Sequence, residues 1–446
     1  MTQMWRGQVL ADGAPKQGVV VSDGQVVVLT DAHGVYALPP TVESSGDNDF
    51  LWVCVPSGFS AAGPWFLPAR RNAVFRLRRD PYQTPSFSFV FFTDIHLVPN
   101  LETQPFAAVL ADIESLRPAP AFCVSGGDVE FQAGMGECYC QLLSSFPLPV
   151  RHVPGNHDLL VGRDDPWALY RRLCGPARYS WEYGGIHFVV LAAMVPNPAQ
   201  QGWRNVEGEF TEAELAWLEA DLRLAERRPV VAFLHIPPLS TFAQRQGLQP
   251  GQEAAWEVRR SEQFLALCDG YNVRLVLSGH FHENERIMRG HTEFLSTGAV
   301  CGHWWERGER PAVNLDGTPK GYRVIYVDGE CVETVYRATG CRVPPQLQIV
   351  TPQPDTPARG RVTIGVNVFD GDSSTRVEAR IGEAEWIGLL YTPQQAGSSV
   401  FSNAHFWTGY WPDELPAGTH SLTVRATFAD GKSCTEQVGL MIENGA

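Results

Sequence analysis

The stretch Ser86-Phe87-Ser88-Phe89-Val90-Phe91-Phe92-Thr93-Asp94-Ile95-His96 decides the fold. Phe87 to Phe92 is an apolar run broken only by Ser88, short enough for one strand and apolar enough to be buried on both faces. It stops at an aspartate and a histidine spaced to face a common point. Runs of the same type follow at Ala121 to Val124, Val150 to Val153, His187 to Leu191, Val230 to Leu234 and Val273 to Leu277. Amphipathic stretches such as Phe106 to Leu116 and Ala213 to Leu224 lie between them. The second opens with Thr211-Glu212-Ala213-Glu214, where Thr211 and Glu214 are expected to cap the free amides of the first turn reciprocally. Strands alternating with helices predict an α/β domain whose sheet is covered on both faces.

Outside this region the pattern is different. Gln8-Val9-Leu10, Gly18 to Val21 and Val26 to Leu29 are short apolar runs separated by Asp12-Gly13 and Asp23-Gly24, and His33-Gly34 precedes the next run. They predict a small antiparallel β-sandwich over residues 1–82. Thr351 to Pro357 reads as a proline-stiffened linker at the end of a central domain over 83–348. Val362 to Val368 and Ser421 to Ala426 alternate, and Asp430-Gly431 marks a hairpin turn, so 349–446 is expected to form an immunoglobulin-like β-domain.

With 446 residues, 44 % of them hydrophobic, the chain can build several cores. A net charge of −14 argues against a nucleic-acid polymer as partner, since phosphate backbones attract basic surfaces. Ten scattered cysteines form no disulfide framework, and Cys138 and Cys140 are neither a redox pair nor half a zinc knuckle. Reduced, buried thiols and a cytoplasmic location are expected. No stretch has the length of a secretory signal or a membrane span. A secreted or periplasmic chain stripped of its leader would read the same way.

Chemistry-bearing residues sit where the central strands end: Asp94-Ile95-His96, Gly126-Gly127-Asp128, Gly155-Asn156-His157-Asp158, His235 and Gly279-His280-Phe281-His282. Strand carboxyl ends are where α/β sheets gather ligand sites. Each motif alone is a common turn, and His235 alone is a common core histidine. Their joint appearance, each at a strand end, points instead to one site. Carboxylates with imidazoles favour manganese, iron or zinc over an all-oxygen cage. A carboxylate can bridge two cations, and two ions about 3.5–4 Å apart polarise a phosphoryl group and acidify a water.

These motifs, in this order, resemble the calcineurin-like metallophosphoesterase superfamily. The resemblance implies a four-layer αββα catalytic sandwich flanked by two small all-β sandwiches. It implies that Asp94, His96 and His282 hold one metal ion, Asn156, His235 and His280 the other, with Asp128 bridging. His157 would be no ligand but would sit beside the leaving group. The implied reaction is metal-dependent hydrolysis of a phosphomonoester or phosphodiester by a hydroxide bridging the two ions. Thr30 to Tyr36 is similar to the strand-turn-strand of carboxypeptidase-regulatory-like sandwiches. Ser296 to Trp305, Asp316 to Tyr322 and Val368 to Asp372 are similar to bacterial members with β-domains on both sides. Where relatives often carry Leu-Asp after the fourth strand, this chain has Leu191-Ala192-Ala193.

Further candidates are less defined. His303, Trp304 and Trp305 are either an aromatic wall for substrate or a packed cluster. Trp407, Tyr410 and Trp411 suit interdomain packing better than sugar stacking. Arg163, Arg178 and Arg204 are either phosphate grips or solvated loop charges. Rival readings are a nuclease or cyclic-nucleotide phosphodiesterase with the same centre, and a metal-binding adhesion or scaffold protein whose centre is vestigial.

Overall fold

The computed structural model describes all residues except 1–3, 40–49, 71, 98–103, 201, 250–254, 306–312, 342–344, 354–355, 360, 394–402 and 444–446. Ser86–Phe92 is the middle strand of a five-stranded sheet, parallel to Cys123–Ser125 and antiparallel to Gly321–Asp328. Val150–His152 and Cys331–Ala338 complete the sheet at its edges. A six-stranded sheet runs Tyr179–Tyr183, Ile186–Val190, Val230–Phe233, Val273–Ser278, Thr292–Ser296, Glu285–Arg289.

The period of two along Ser86–Phe92 explains why the run is apolar throughout. Phe89 and Phe91 face the second sheet, where they meet Phe188 at 5.5 Å and Phe233 at 5.8 Å respectively. Val90 and Phe92 point the other way, into a cluster with Phe106, Val109 and Ile113 of the helix Gln104–Glu114 and Tyr139 of the helix Met135–Ser144. On the far side, Leu215, Leu218 and Leu222 of Glu212–Ala225 and Phe264 and Leu265 of Ser261–Gly270 pack with the second sheet. The result is the expected four-layer αββα sandwich. Its parallel strands Ser86–Phe92, Cys123–Ser125 and Val150–His152 end on one edge, as do Val230–Phe233 and Val273–Ser278.

Thr211 caps the helix Glu212–Ala225 as expected, its hydroxyl accepting from the Glu214 amide at 3.1 Å. The other half of the capping box is corrected. The buried Glu214 carboxylate is directed to the amides of Ala192 and Ala193, at 2.8 and 3.2 Å. Here the chain leaves Ile186–Val190 with Ala193 at φ +48°, and buried amides in such a turn need acceptors.

Two all-β sandwiches flank this body. The first pairs a five-stranded sheet with the four-stranded sheet Val27–Leu29, Val20–Ser22, Phe50–Val53, Phe66–Pro68. The expectation that it is wholly antiparallel is corrected: Trp5–Ala11 runs parallel to Ala73–Arg79. Those strands are far apart in sequence, so no hairpin constrains their direction. Trp52 meets Trp217 of the catalytic sandwich edge-on at 5.9 Å, and the Trp217 indole donates to Ser22 at 3.1 Å.

In the second flanking sandwich Leu347–Thr351 is already a strand, paired with Thr363–Val368. The stretch after it therefore joins two strands of one sheet and is no interdomain linker; Pro354 and Asp355 of that stretch lie outside the described residues. The Asp430-Gly431 turn joins Gly418–Thr427 to Ser433–Ile442 as expected. Trp407 and Trp411 are buried in this sandwich's own core, which corrects the interdomain assignment, while Tyr410 is exposed.

All ten cysteines are free, and no described helix is long and apolar enough to cross a membrane. The flank is locked on by Arg323, wholly buried, whose guanidinium donates to Asp370 at 2.6 Å. Removing one partner of a buried ion pair strands the other charge, at a cost of roughly 3–5 kcal/mol. Asp370→Ala is therefore expected to lower the unfolding free energy from urea titration by that margin; an unchanged free energy would show that the pair does not hold the two bodies together.

Candidate metal centre

The loops at the carboxyl edge are built against local preference. Asp94 (φ +55°), His96 (+44°), Asp128 (+55°), His280 (+76°) and His282 (+54°) all occupy the left-handed region. That costs an L-residue about 1–2 kcal/mol each, so surrounding contacts must hold them. The Ile95 and His96 amides donate to the Asp128 carbonyl at 2.9 and 2.8 Å, and the His280 amide donates to the Asp94 carboxylate at 3.0 Å. Asp158 ties two further loops together, accepting from the amides of Val129 and Gly155, both at 2.8 Å. A Cβ at Gly155 would overlap Asp128, and one at Gly279 would overlap Asp94. Only glycine allows the loops this close.

The donor atoms form two groups that share one pocket. His96 Nε2 lies 3.1 Å from His282 Nε2, and His282 Nε2 lies 3.4 Å from Asp94 Oδ1. His235 Nε2 lies 3.1 Å from Asp128 Oδ2, and His280 brings a ring nitrogen within 4.8 Å of both residues' donors. Asp128 Oδ2 is also 3.6 Å from His96 Nε2, so it stands between the groups. Asn156 Oδ1 is buried without a hydrogen-bond partner.

Three rings are oriented from behind by carbonyls: His282 Nδ1 by Gly302 at 2.7 Å, His235 Nδ1 by Gly126 at 2.8 Å, His280 Nε2 by Ala255 at 2.9 Å. Each carbonyl accepts from one ring nitrogen and turns the opposite nitrogen to the pocket. Burial drives His280 down to about 3, with His235 adding to the effect, so its imidazole is neutral. Burial pushes Asp94 up, but His282 and His235 outweigh it and hold the carboxyl at about 2. Two buried carboxylates among aligned ring nitrogens and an unpartnered amide oxygen fit a pair of transition-metal cations.

Glu130, absent from the sequence reading, lies at the centre of the rim. Its carboxylate is 3.3 Å from His96 Nδ1 and in closer contact with His157 Nδ1. Burial disfavours the His157 imidazolium, yet Asp128 and Glu130 raise it to about 9. The aromatic trio divides. Trp304 is half exposed with its ring 4.2 Å from His96 and 6.1 Å from His157. Trp305 turns into the core and donates to the Ile95 carbonyl at 2.6 Å, and the His303 carbonyl lies 3.1 Å from His282 Nδ1. Arg178 is buried 3.9 Å from Glu214, whereas Arg163 and Arg204 are exposed.

Behind His282 a polar chain reaches the C-terminal flank. The Asn284 amide donates to Asp316 at 2.6 Å, His405 Nε2 is 3.0 Å from the same carboxylate, and Asn284 Oδ1 accepts from Arg323 at 3.1 Å.

Residues 87–284 match the calcineurin-like phosphoesterase family, 3–64 the N-terminal region of such phosphoesterases, and 294–401 their C-terminal region. The chain belongs to the calcineurin-like phosphoesterases. It is thus a hydrolase of phosphoric esters. A 3′,5′-cyclic-nucleotide phosphodiesterase of Nostoc sp. is 27 % identical over 268 residues, 56 % of this chain and 92 % of that protein. A glycerophosphodiester phosphodiesterase of Enterobacter lignolyticus is 30 % identical over 141 residues, 30 % of this chain and 48 % of that one. Among solved structures, purple acid phosphatase PPD1 of yellow lupin aligns over 75 % of this chain and 66 % of its own, at 14 % identity and a TM-score of 0.43.

If Asp128 joins the two donor groups of this phosphoesterase, Asp128→Asn replaces a charged bridge by a neutral one. Metal content and aryl-phosphate hydrolysis should then fall together, by elemental analysis and turnover on the same sample. Full metal occupancy with near-native turnover would assign the bridge elsewhere.

Proposed function

We propose that this chain hydrolyses small phosphodiesters, with 3′,5′-cyclic nucleotides as the favoured class. The observation that carries this reading is Trp304, an indole half open to solvent beside His96 and His157. A flat aromatic face at the mouth of a phosphate pocket suits a base, since stacking on one is worth about 1–3 kcal/mol. The acidic balance disfavours a long polymer but not a small nucleotide. The named activity of the Nostoc relative supports the same class.

In this proposal Asp94, His96 and His282 would hold one ion and Asn156, His235 and His280 the other, with Asp128 shared by the two sets; manganese, iron or zinc fits the donors. When bound, the ions polarise the phosphoryl group and acidify a water. The protein's own part is to place and protonate. Glu130 accepts from His157 Nδ1 and so aims Nε2 at the leaving oxygen, where a positioned proton donor contributes roughly 10²–10⁴-fold. Asn156 neutralises charge on the phosphoryl oxygens. The Glu130–His157 pair has no use in a vestigial scaffold, which disfavours that alternative.

The test is turnover of manganese-loaded protein on a cyclic nucleotide, bis(p-nitrophenyl) phosphate, p-nitrophenyl phosphate and duplex DNA. Both small diesters should exceed the monoester and the DNA. Trp304→Ala should raise KM for the cyclic nucleotide about 5- to 150-fold, the range that stacking energy spans, with kcat on the aryl diester little changed. A preferred monoester, or an unmoved KM, would overturn the substrate assignment.

A further inference from the structure

The strands that end at the phosphoesterase centre begin near a second group of metal-ligating side chains. Glu182 and His187 face each other across the hairpin Tyr179–Tyr183/Ile186–Val190, so they project from one face of the sheet. His187 pairs in register with Val230, at the amino end of the strand whose carboxyl end leads to His235. The Glu182 amide donates to the Val55 carbonyl at 2.8 Å, and this draws Cys54 of the N-terminal flank onto the same face. Cys54, Glu182 and His187 offer donor atoms within 4.8 Å of one another.

His187 makes this cluster more than packing. Its Nε2 lies 2.8 Å from Asp221 Oδ2, and Asp221 is fixed in turn by the Ser180 hydroxyl at 2.9 Å. Its Nδ1 is buried with no hydrogen-bond partner, on a residue only 2 % exposed. A carboxylate behind one ring nitrogen and an open lone pair on the other is the arrangement of a metal-ligating histidine. Glu182 is oriented by the Ser57 amide at 3.0 Å and by Arg228 at 3.6 Å, and its partial exposure gives a path from solvent.

We infer that Cys54, Glu182 and His187 bind a divalent ion of the zinc class, with Asp221 and Ser180 as their outer support. Sulfur, nitrogen and carboxylate oxygen are the zinc donor set, and water can take the fourth tetrahedral position. Burial, followed by Glu182 and Asp221, pushes the free Cys54 thiol up, so the thiol is inert without an ion. On binding, the thiol proton passes to solvent, and thiolate plus carboxylate balance the two positive charges. The ion joins the N-terminal sandwich to the catalytic one and has no part in phosphoester chemistry.

The full chain, saturated with Co²⁺, provides the test. The proposed ligands of the phosphoesterase centre include no sulfur, so a near-ultraviolet thiolate-to-cobalt charge-transfer band reports on the Cys54 site. The wild-type chain should show the band and hold one more metal equivalent than Cys54→Ser. Cys54→Ser should lose both the band and that equivalent while keeping aryl-diester turnover, which also shows that it folds. His187→Gln should weaken the band's midpoint for Co²⁺ at least tenfold. Absence of the band in the wild-type chain, or a band and stoichiometry unchanged in Cys54→Ser, would overturn the site without reference to the catalytic reading.

Discussion

Asp94 and Asp128 are buried carboxylates that repel each other, and their mutual charge is the constraint around which the catalytic body is arranged. An isolated buried charge costs several kcal/mol after relaxation, and two of like sign cost more. The two carboxylates draw His235 and His282 towards the protonated form, and bound cations would answer the same charge. The five left-handed residues, the glycines that bring loops into overlap range and the rings turned by backbone carbonyls all keep these donors aligned. That local strain is stored at the functional site and offset by hydrogen bonds between loops that are distant in sequence.

Both flanking sandwiches make contacts that bear on the same arrangement. The loop carrying His280 and His282 continues into Asn284, which is held by Asp316 and Arg323, and these are held by His405 and Asp370 of the C-terminal flank. A packed chain of buried polar groups transmits position well, because each member left unpaired would be costly. Trp52 and Trp217 seat the N-terminal flank against the helix whose Glu214 pins the Ala192 turn. The flanks are thus structural parts of the catalytic body.

What the sequence disclosed follows from contiguity. Phe87 to Phe92 announced a doubly buried strand because both faces need apolar side chains, and the four motifs plus His235 are visible because each donor follows a strand end. Contacts made across the fold were not legible. Glu130 sits two residues past Asp128 yet matters only because His157 arrives from another loop. Glu214 satisfied a local capping rule in its spacing, but buried amides at Ala192 and Ala193 compete successfully for its carboxylate. Trp304 and Trp305 are adjacent and identical, and only the turn at Trp305 (φ +42°) sends one to the pocket mouth and the other to the core. Cys54, Glu182 and His187 share no motif, since a hairpin and a domain contact bring them together.

The most direct measurement of whether two cations answer the Asp94–Asp128 charge is anomalous diffraction at the manganese absorption edge from a crystal of the manganese-loaded protein. Two peaks about 3.5–4 Å apart are expected, with Asp128 in contact with both, Asp94 with one, and Asn156 Oδ1 facing the other. A single peak, or peaks that leave Asp94 and Asp128 uncoordinated, would contradict the account.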